Sequence, residues 1–213
     1  MKTDDLITML AQDAAPPPGP SVERRAWAGL ALGFVGALVL YLLVLGPRPD
    51  LLGHMADPLV LAKMGLPLAL FALALVLAVR TARPGAGAGR TGWIVWAVPA
   101  LAVLLFGWSF AVTPPAERWR DFIGHSIPIC LPAITVLSLP MTAGLLAAFR
   151  RGAPVHLRRT GAMAGLAAAG LSTVIYSTFC TEDSPLFYAT WYSLGILASA
   201  AIGAWAAGRW LRW

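Results

Sequence analysis

Residues 128–186 read PICLPAITVLSLPMTAGLLAAFRRGAPVHLRRTGAMAGLAAAGLSTVIYSTFCTEDSPL. Two apolar runs flank a link carrying Arg150, Arg151, His156, Arg158 and Arg159, and each run bears one of the chain's two cysteines at the end away from that link. The pattern predicts an antiparallel pair of membrane helices, since about 20 apolar residues at about 1.5 Å each cross a hydrocarbon core of roughly 30 Å. A short link this basic belongs on the cytoplasmic side. Cys130 and Cys180 are therefore expected together at the external surface. Three fates fit two thiols placed there: a disulfide, a shared metal, or packing as small apolar groups.

Working outward, the rest of the chain repeats the theme. Of its 213 residues 58% are hydrophobic and 12% charged, with a mean hydropathy of +0.72, which excludes a water-soluble domain. The expected fold class is all-α, a polytopic six-helix transmembrane bundle with a short cytoplasmic N-terminal helix. Apolar runs at about 26–45, 59–79, 93–112, 129–149, 162–180 and 190–208 make up a transmembrane domain over 26–208, between a segment at 1–25 and a short cytoplasmic tail at 209–213. The net charge of +6 resides at helix ends, so it points to orientation in a membrane and not to nucleic acid. Twelve Lys and Arg residues fall on the face holding both termini, against three (Arg48, Arg118, Arg120) on the other. That bias predicts a multi-pass protein with both termini in the cytoplasm. Lys63 lies about four residues inside the second run and is expected to snorkel to the interface. Trp27, Trp93, Trp108, Trp119, Trp191, Trp210 and Trp213 sit near run ends, where indole suits the headgroup zone.

The first 25 residues form a polar prologue. Thr3 is suited to cap a helix with Asp4 and Asp5 in its first turn, where the helix dipole favours negative charge. Leu6, Ile7, Met9 and Leu10 then share one broad arc. A helix of about ten residues is marginal alone, so this one needs lipid or a partner's groove to lie on. Pro16, Pro17, Pro18 and Pro20 make a stiff spacer before the first span.

Soft thiolates with imidazole would suit transient binding of copper, zinc or cadmium, and His54 and His125 share the predicted external face with Cys130 and Cys180. No resident cofactor is implied. Gly-x-Ser-x-Gly, His-Glu-x-x-His and phosphate-loop motifs are absent, and no carboxylate lies deep in any span, so an enzyme is not expected. A small six-span metal or solute permease is the competing class, with span prolines and external histidines lining a path. A thiol oxidoreductase would in addition need a quinone or haem.

The opening Met-Lys-Thr-Asp-Asp-Leu-Ile-Thr-Met-Leu-Ala, the six spans, Ile129-Cys130-Leu-Pro132 and above all Phe179-Cys180-Thr-Glu182-Asp-Ser184-Pro-Leu-Phe-Tyr-Ala-Thr-Trp191-Tyr resemble the NrsF-type membrane anti-sigma factors of Gram-negative bacteria. The resemblance implies an inner-membrane protein that holds an extracytoplasmic-function (ECF) sigma factor inactive and frees it under metal or oxidative stress. It implies Cys130 and Cys180 as the sensing residues. The sigma-factor contact would be the N-terminal segment, through Asp4, Asp5, Leu6, Ile7, Met9 and Leu10.

Overall fold

The computed structural model describes residues 3–12, 21–54, 56–83 and 89–211. The elements in chain order are α1 (Thr3–Gln12), α2 (Val22–Val44), α3 (Leu51–His54), α4 (Pro58–Thr81), α5 (Thr91–Ile94), α6 (Ala97–Val112), α7 (Pro115–Ile123), α8 (Ile127–Phe149), α9 (Leu157–Ser177) and α10 (Pro185–Trp210). The described residues contain no strand. Six stretches are long and apolar enough to cross a membrane: α2, α4, α5 with α6, α8, α9 and α10. The all-α, six-span expectation therefore holds, with ends that differ by a few residues.

Those ends have local causes. Ser21 caps α2 by accepting from the Arg24 amide at 3.3 Å, and Asp57 caps α4 by accepting from the Leu59 amide at 2.8 Å, with Pro58 in the first turn. The third span is broken at Val95 and Trp96, one turn before Pro99, which has no amide hydrogen to return to the Val95 carbonyl. Helix α9 stops at Ser177, three residues short of Cys180, so that cysteine sits in the link and not in the span.

Helix α9 is the axis of the bundle, with α4, α8 and α10 packed around it, α2 lying outside α8, and α6 lying beside α10. Its composition explains the position, because a run of Ala, Gly, Ser and Thr presents a thin surface to several neighbours at once. A methyl group at Gly170 would stand 2.7 Å from the Pro67 carbonyl oxygen and 2.8 Å from the Phe71 nitrogen, so α9 and α4 touch backbone to backbone there. Outer faces of the peripheral helices carry exposed Leu32, Leu43, Val103 and Leu104, as lipid contact requires.

Links one, three and five gather at one end of the bundle, the cysteine end; links two and four and the start of α2 gather at the other, basic end. Helix α7, in link three, is short and amphipathic, and the sequence reading had no element there. It clips α6 to α10: the Trp191 indole donates to the Phe122 carbonyl at 2.8 Å, and the Phe122 ring contacts Phe106 and Trp191. Trp191 is thereby an interior clip and not the headgroup anchor expected of it. Trp27, Trp93, Trp108, Trp119 and Trp210 are exposed, in keeping with an anchoring role, and Trp213 lies outside the described residues.

Replacing Gly170 by Leu should lower the stability of the detergent-solubilised protein by about 1–3 kcal/mol or more, the usual penalty of overpacking a close contact. Gly65→Ala, on the same α4 but with nothing within 4 Å of an added methyl, should leave the unfolding midpoint unchanged or slightly raised. Thermal melts of the two variants against the parent check both outcomes.

Candidate functional site

The cysteine end is built around link five, residues 178–184. Helix α9 closes with a tight turn in which the Phe179 and Cys180 amides both donate to the Tyr176 carbonyl, at 3.0 and 3.1 Å. The Thr178 hydroxyl donates to the Ile175 carbonyl at 2.6 Å and lies 2.6 Å from the Tyr41 hydroxyl of α2. This turn brings the Cys180 side chain into the core and aims its carbonyl at α4.

Two cations meet that carbonyl. The Lys63 ammonium donates to the Cys180 oxygen at 2.6 Å and to Asp183 Oδ1 at 2.9 Å. Arg48, from link one, donates through Nη1 to Asp183 Oδ2 at 2.9 Å and to the Cys180 oxygen at 3.4 Å, while its backbone amide donates to the Thr178 carbonyl at 3.0 Å. Lys63 is 1% exposed and Arg48 6%. Lys63 therefore does not snorkel: it turns inward and is neutralised, because a carboxylate 120 residues away in sequence is folded over it. Asp50 is the second carboxylate in reach of Arg48, 3.7 Å from Nε. Four charges and one peptide carbonyl thus tie links one and five to α4.

Beneath this clamp lie the thiols. Cys130 and Cys180 are both unbridged, at 0% and 1% exposure. They share one end of the bundle as the basic-link argument requires, but the expectation that they lie at the surface is corrected, since link five covers them. The Tyr176 phenol interacts with both sulfurs and the Tyr192 phenol with Cys180. Neither hydroxyl makes a hydrogen bond of ordinary geometry, although both residues are buried. Two soft sulfur donors and two phenols therefore form one buried cluster. Such a group can lose two electrons as a dithiol, hold a soft ion, or stabilise a thiolate by phenolic donation.

The histidines stand apart from it. His54 faces Asp50, with Nδ1 3.3 Å from the carboxylate, and His125 is 87% exposed beside Glu182, which accepts the His125 backbone amide at 2.7 Å. Among the described residues no group of three or more His, Cys, Asp and Glu side chains converges. The structure therefore does not assemble Cys130, Cys180, His54 and His125 into one ligand set: the histidines belong to link contacts and the cysteines to the core.

At the far end of the chain, α1 presents Asp4, Asp5, Ile7 and Met9 to solvent, and the Thr8 hydroxyl donates back to the Asp4 carbonyl at 2.8 Å. The side chains of Leu6 and Leu10 lie outside the described residues. Sequence reasoning missed Tyr176, Tyr192 and Arg48 altogether. The available signal was Lys63 itself, a cation set inside an apolar run, which calls for a counter-charge brought by the fold.

The family model that matches the chain is that of NrsF, described as a negative regulator of sigma F, over residues 10–213. The chain is 42% identical to the anti-sigma-F factor NrsF of Caulobacter vibrioides strain NA1000 / CB15N, and 35% identical to the probable anti-sigma-F factor NrsF of Azospira oryzae. Both alignments cover the whole of each chain. No solved structure matches it.

The clamp makes a graded prediction. Lys63→Met removes charged hydrogen bonds worth about 1.5–3 kcal/mol but leaves Asp183 paired with Arg48. Asp183→Asn should cost more, about 3–5 kcal/mol, because it leaves two buried cations facing each other. Thermal unfolding should rank the variants in that order, and alkylation of Cys180 by N-ethylmaleimide should quicken in both.

Proposed function

The chain belongs to the NrsF family of negative regulators of sigma F, and from that premise we propose that it holds an ECF-type sigma factor at the bacterial inner membrane and frees it when Cys130 and Cys180 react. The family is a regulatory, non-enzymatic class, so the chemistry at the thiols is a signal and not a turnover. Both termini lie in the cytoplasm in this reading, on the strength of the excess of arginine at the basic end. The signal is a soft metal or an oxidant arriving from outside, and α1 is the sigma-factor contact, its exposed Ile7 and Met9 supplying an apolar face and Asp4 and Asp5 its polar edge.

The observation that carries the proposal is the pairing of two unbridged, buried thiols, one in the first turn of α8 and one in the link just after α9, the two helices that lead from there toward the basic end. Cys130 is on α8, and α8 is the helix against which α2 packs: a methyl at Gly33 of α2 would stand 2.6 Å from the Pro140 carbonyl oxygen. Joining or ligating the two sulfurs changes the position of α8 relative to link five. Pro132 and Pro140 give α8 places to bend, and α2 follows it, carrying the prologue at its start. Arg83 grips Glu23 at 2.6 Å where α2 begins, a second tie that such a shift strains. The signal must favour one arrangement over the other, and about 1.4 kcal/mol of preference yields tenfold release.

Cys130→Ser with Cys180→Ser should leave the sigma factor sequestered and unresponsive, read from a sigma-dependent reporter in cells challenged with cadmium or diamide; full induction in that double variant removes the thiols from the mechanism. Deleting residues 1–14 should release the sigma factor without any challenge, and should abolish its co-purification with the membrane fraction. Continued repression by the truncated chain excludes α1 as the contact.

A further inference from the structure

A cavity of ≈ 450 Å³ lies between α4, α6, α9 and α10, with a mainly apolar wall that includes Leu70, Leu77, Trp96, Pro99, Met163 and Leu166. Its size is within the roughly 300–1,000 Å³ of sites that bind small molecules. Its lining follows α4 from Ala62 to Thr81, roughly 30 Å at about 1.5 Å per residue, which is close to the full hydrocarbon depth. At the cysteine end it is closed by Lys63, already committed to Asp183 and the Cys180 carbonyl. At the basic end it reaches Arg159.

Arg159 is also a wall of a second, more open recess formed by Val155, His156, Leu157, Arg158 and Gly208. Both Arg158 and Arg159 are exposed, and neither is in an ion pair among the described residues. The start of α9, where His156 and Leu157 form part of the same recess, has no side-chain cap on its first amides. One arginine thus joins an anion-attracting hollow to a long apolar slot. Helix α6 is the least enclosed of the spans: of its residues only Val98 and Ser109 are buried, and α7 braces it at the cysteine end through the Phe106–Phe122 contact.

We infer that this composite site holds an anionic phospholipid, its phosphate headgroup on Arg158 and Arg159 and one acyl tail in the slot beside α6. The tail packs against the side of α6 that Val98, Pro99 and Ala102 present to the slot. Charge selects the headgroup, since each arginine near the membrane surface contributes about fivefold in favour of an anionic over a zwitterionic lipid.

The test uses the full chain in phosphatidylcholine nanodiscs carrying a trace of phospholipid with a diazirine in its tail, bearing either a phosphatidylglycerol or a phosphatidylcholine headgroup. Photocrosslinks are mapped by mass spectrometry. Adducts on Leu70, Met163 or Leu166 are expected from the phosphatidylglycerol probe in about fivefold or greater excess. That excess should vanish in Arg158→Ala/Arg159→Ala and persist in Arg150→Ala/Arg151→Ala, which removes equal charge from the same link. Leu166→Trp, which fills the slot, should suppress these adducts with either probe, and free glycerol phosphate should not compete. Adducts confined to the outer faces of α2 and α6 overturn the site. Equal labelling by both probes, equal loss in the Arg150/Arg151 variant, or competition by glycerol phosphate overturns the phospholipid assignment.

Discussion

An ammonium group inside a bilayer must find a counter-charge, and in this chain that requirement shapes one whole end of the molecule. Lys63 enters the core with α4, and the nearest carboxylate that can neutralise it belongs to the link between the last two spans. Meeting it draws Asp183 inward, brings Arg48 with it, and lays residues 178–184 across the top of the bundle as a strap. The burial of Cys180, the capping turn at the end of α9, and the contact of Glu182 with link three all follow from where that strap lies. Two cations taken from water are costly, so such a cluster is weak evidence for stability by itself and stronger evidence that one arrangement of the links is specified.

The small residues of α9 serve the same end from below. A helix of Ala, Gly, Ser and Thr accepts three neighbours at short distance, which brings α4 and its lysine close enough to reach the α9 carboxyl-terminal turn. Larger side chains at Gly165 or Gly170 would push α4 or α10 outward, and the pairing at the cysteine end would lose its geometry. Packing and electrostatics here are one problem solved twice, once in the hydrocarbon and once at its boundary.

Hydropathy and arginine placement made the six spans and the shared end of Cys130 and Cys180 legible from the sequence, because both follow from local composition. Helix ends were legible only to a few residues, since Ser21 and Asp57 extend their helices beyond the apolar run that marks them. What stayed hidden was long-range. Nothing near Lys63 in sequence names Asp183, so the isolated cation read as a snorkelling side chain. Tyr176 and Tyr192 carry no signal of their own in the sequence, because only the fold sets their hydroxyls beside the sulfurs. Helix α7 escaped because a short, mostly polar and aromatic run behind a Pro-Pro pair read as a link, and its amphipathic clip depends on Trp191, 69 residues beyond the Phe122 carbonyl it meets. His54 and His125 shared a face with the thiols but not a depth, a distinction that topology alone does not draw.

Covering the sulfurs with a polar strap also sets the tempo of whatever chemistry they undergo. A reagent meets them only during excursions in which residues 178–184 lift, so bulky or strongly hydrated species are filtered out before reactivity is ever compared. Above a modest reagent concentration the rate of modification then saturates at the lifting rate, and the extent of reaction follows how long a reagent is present more than how concentrated it is.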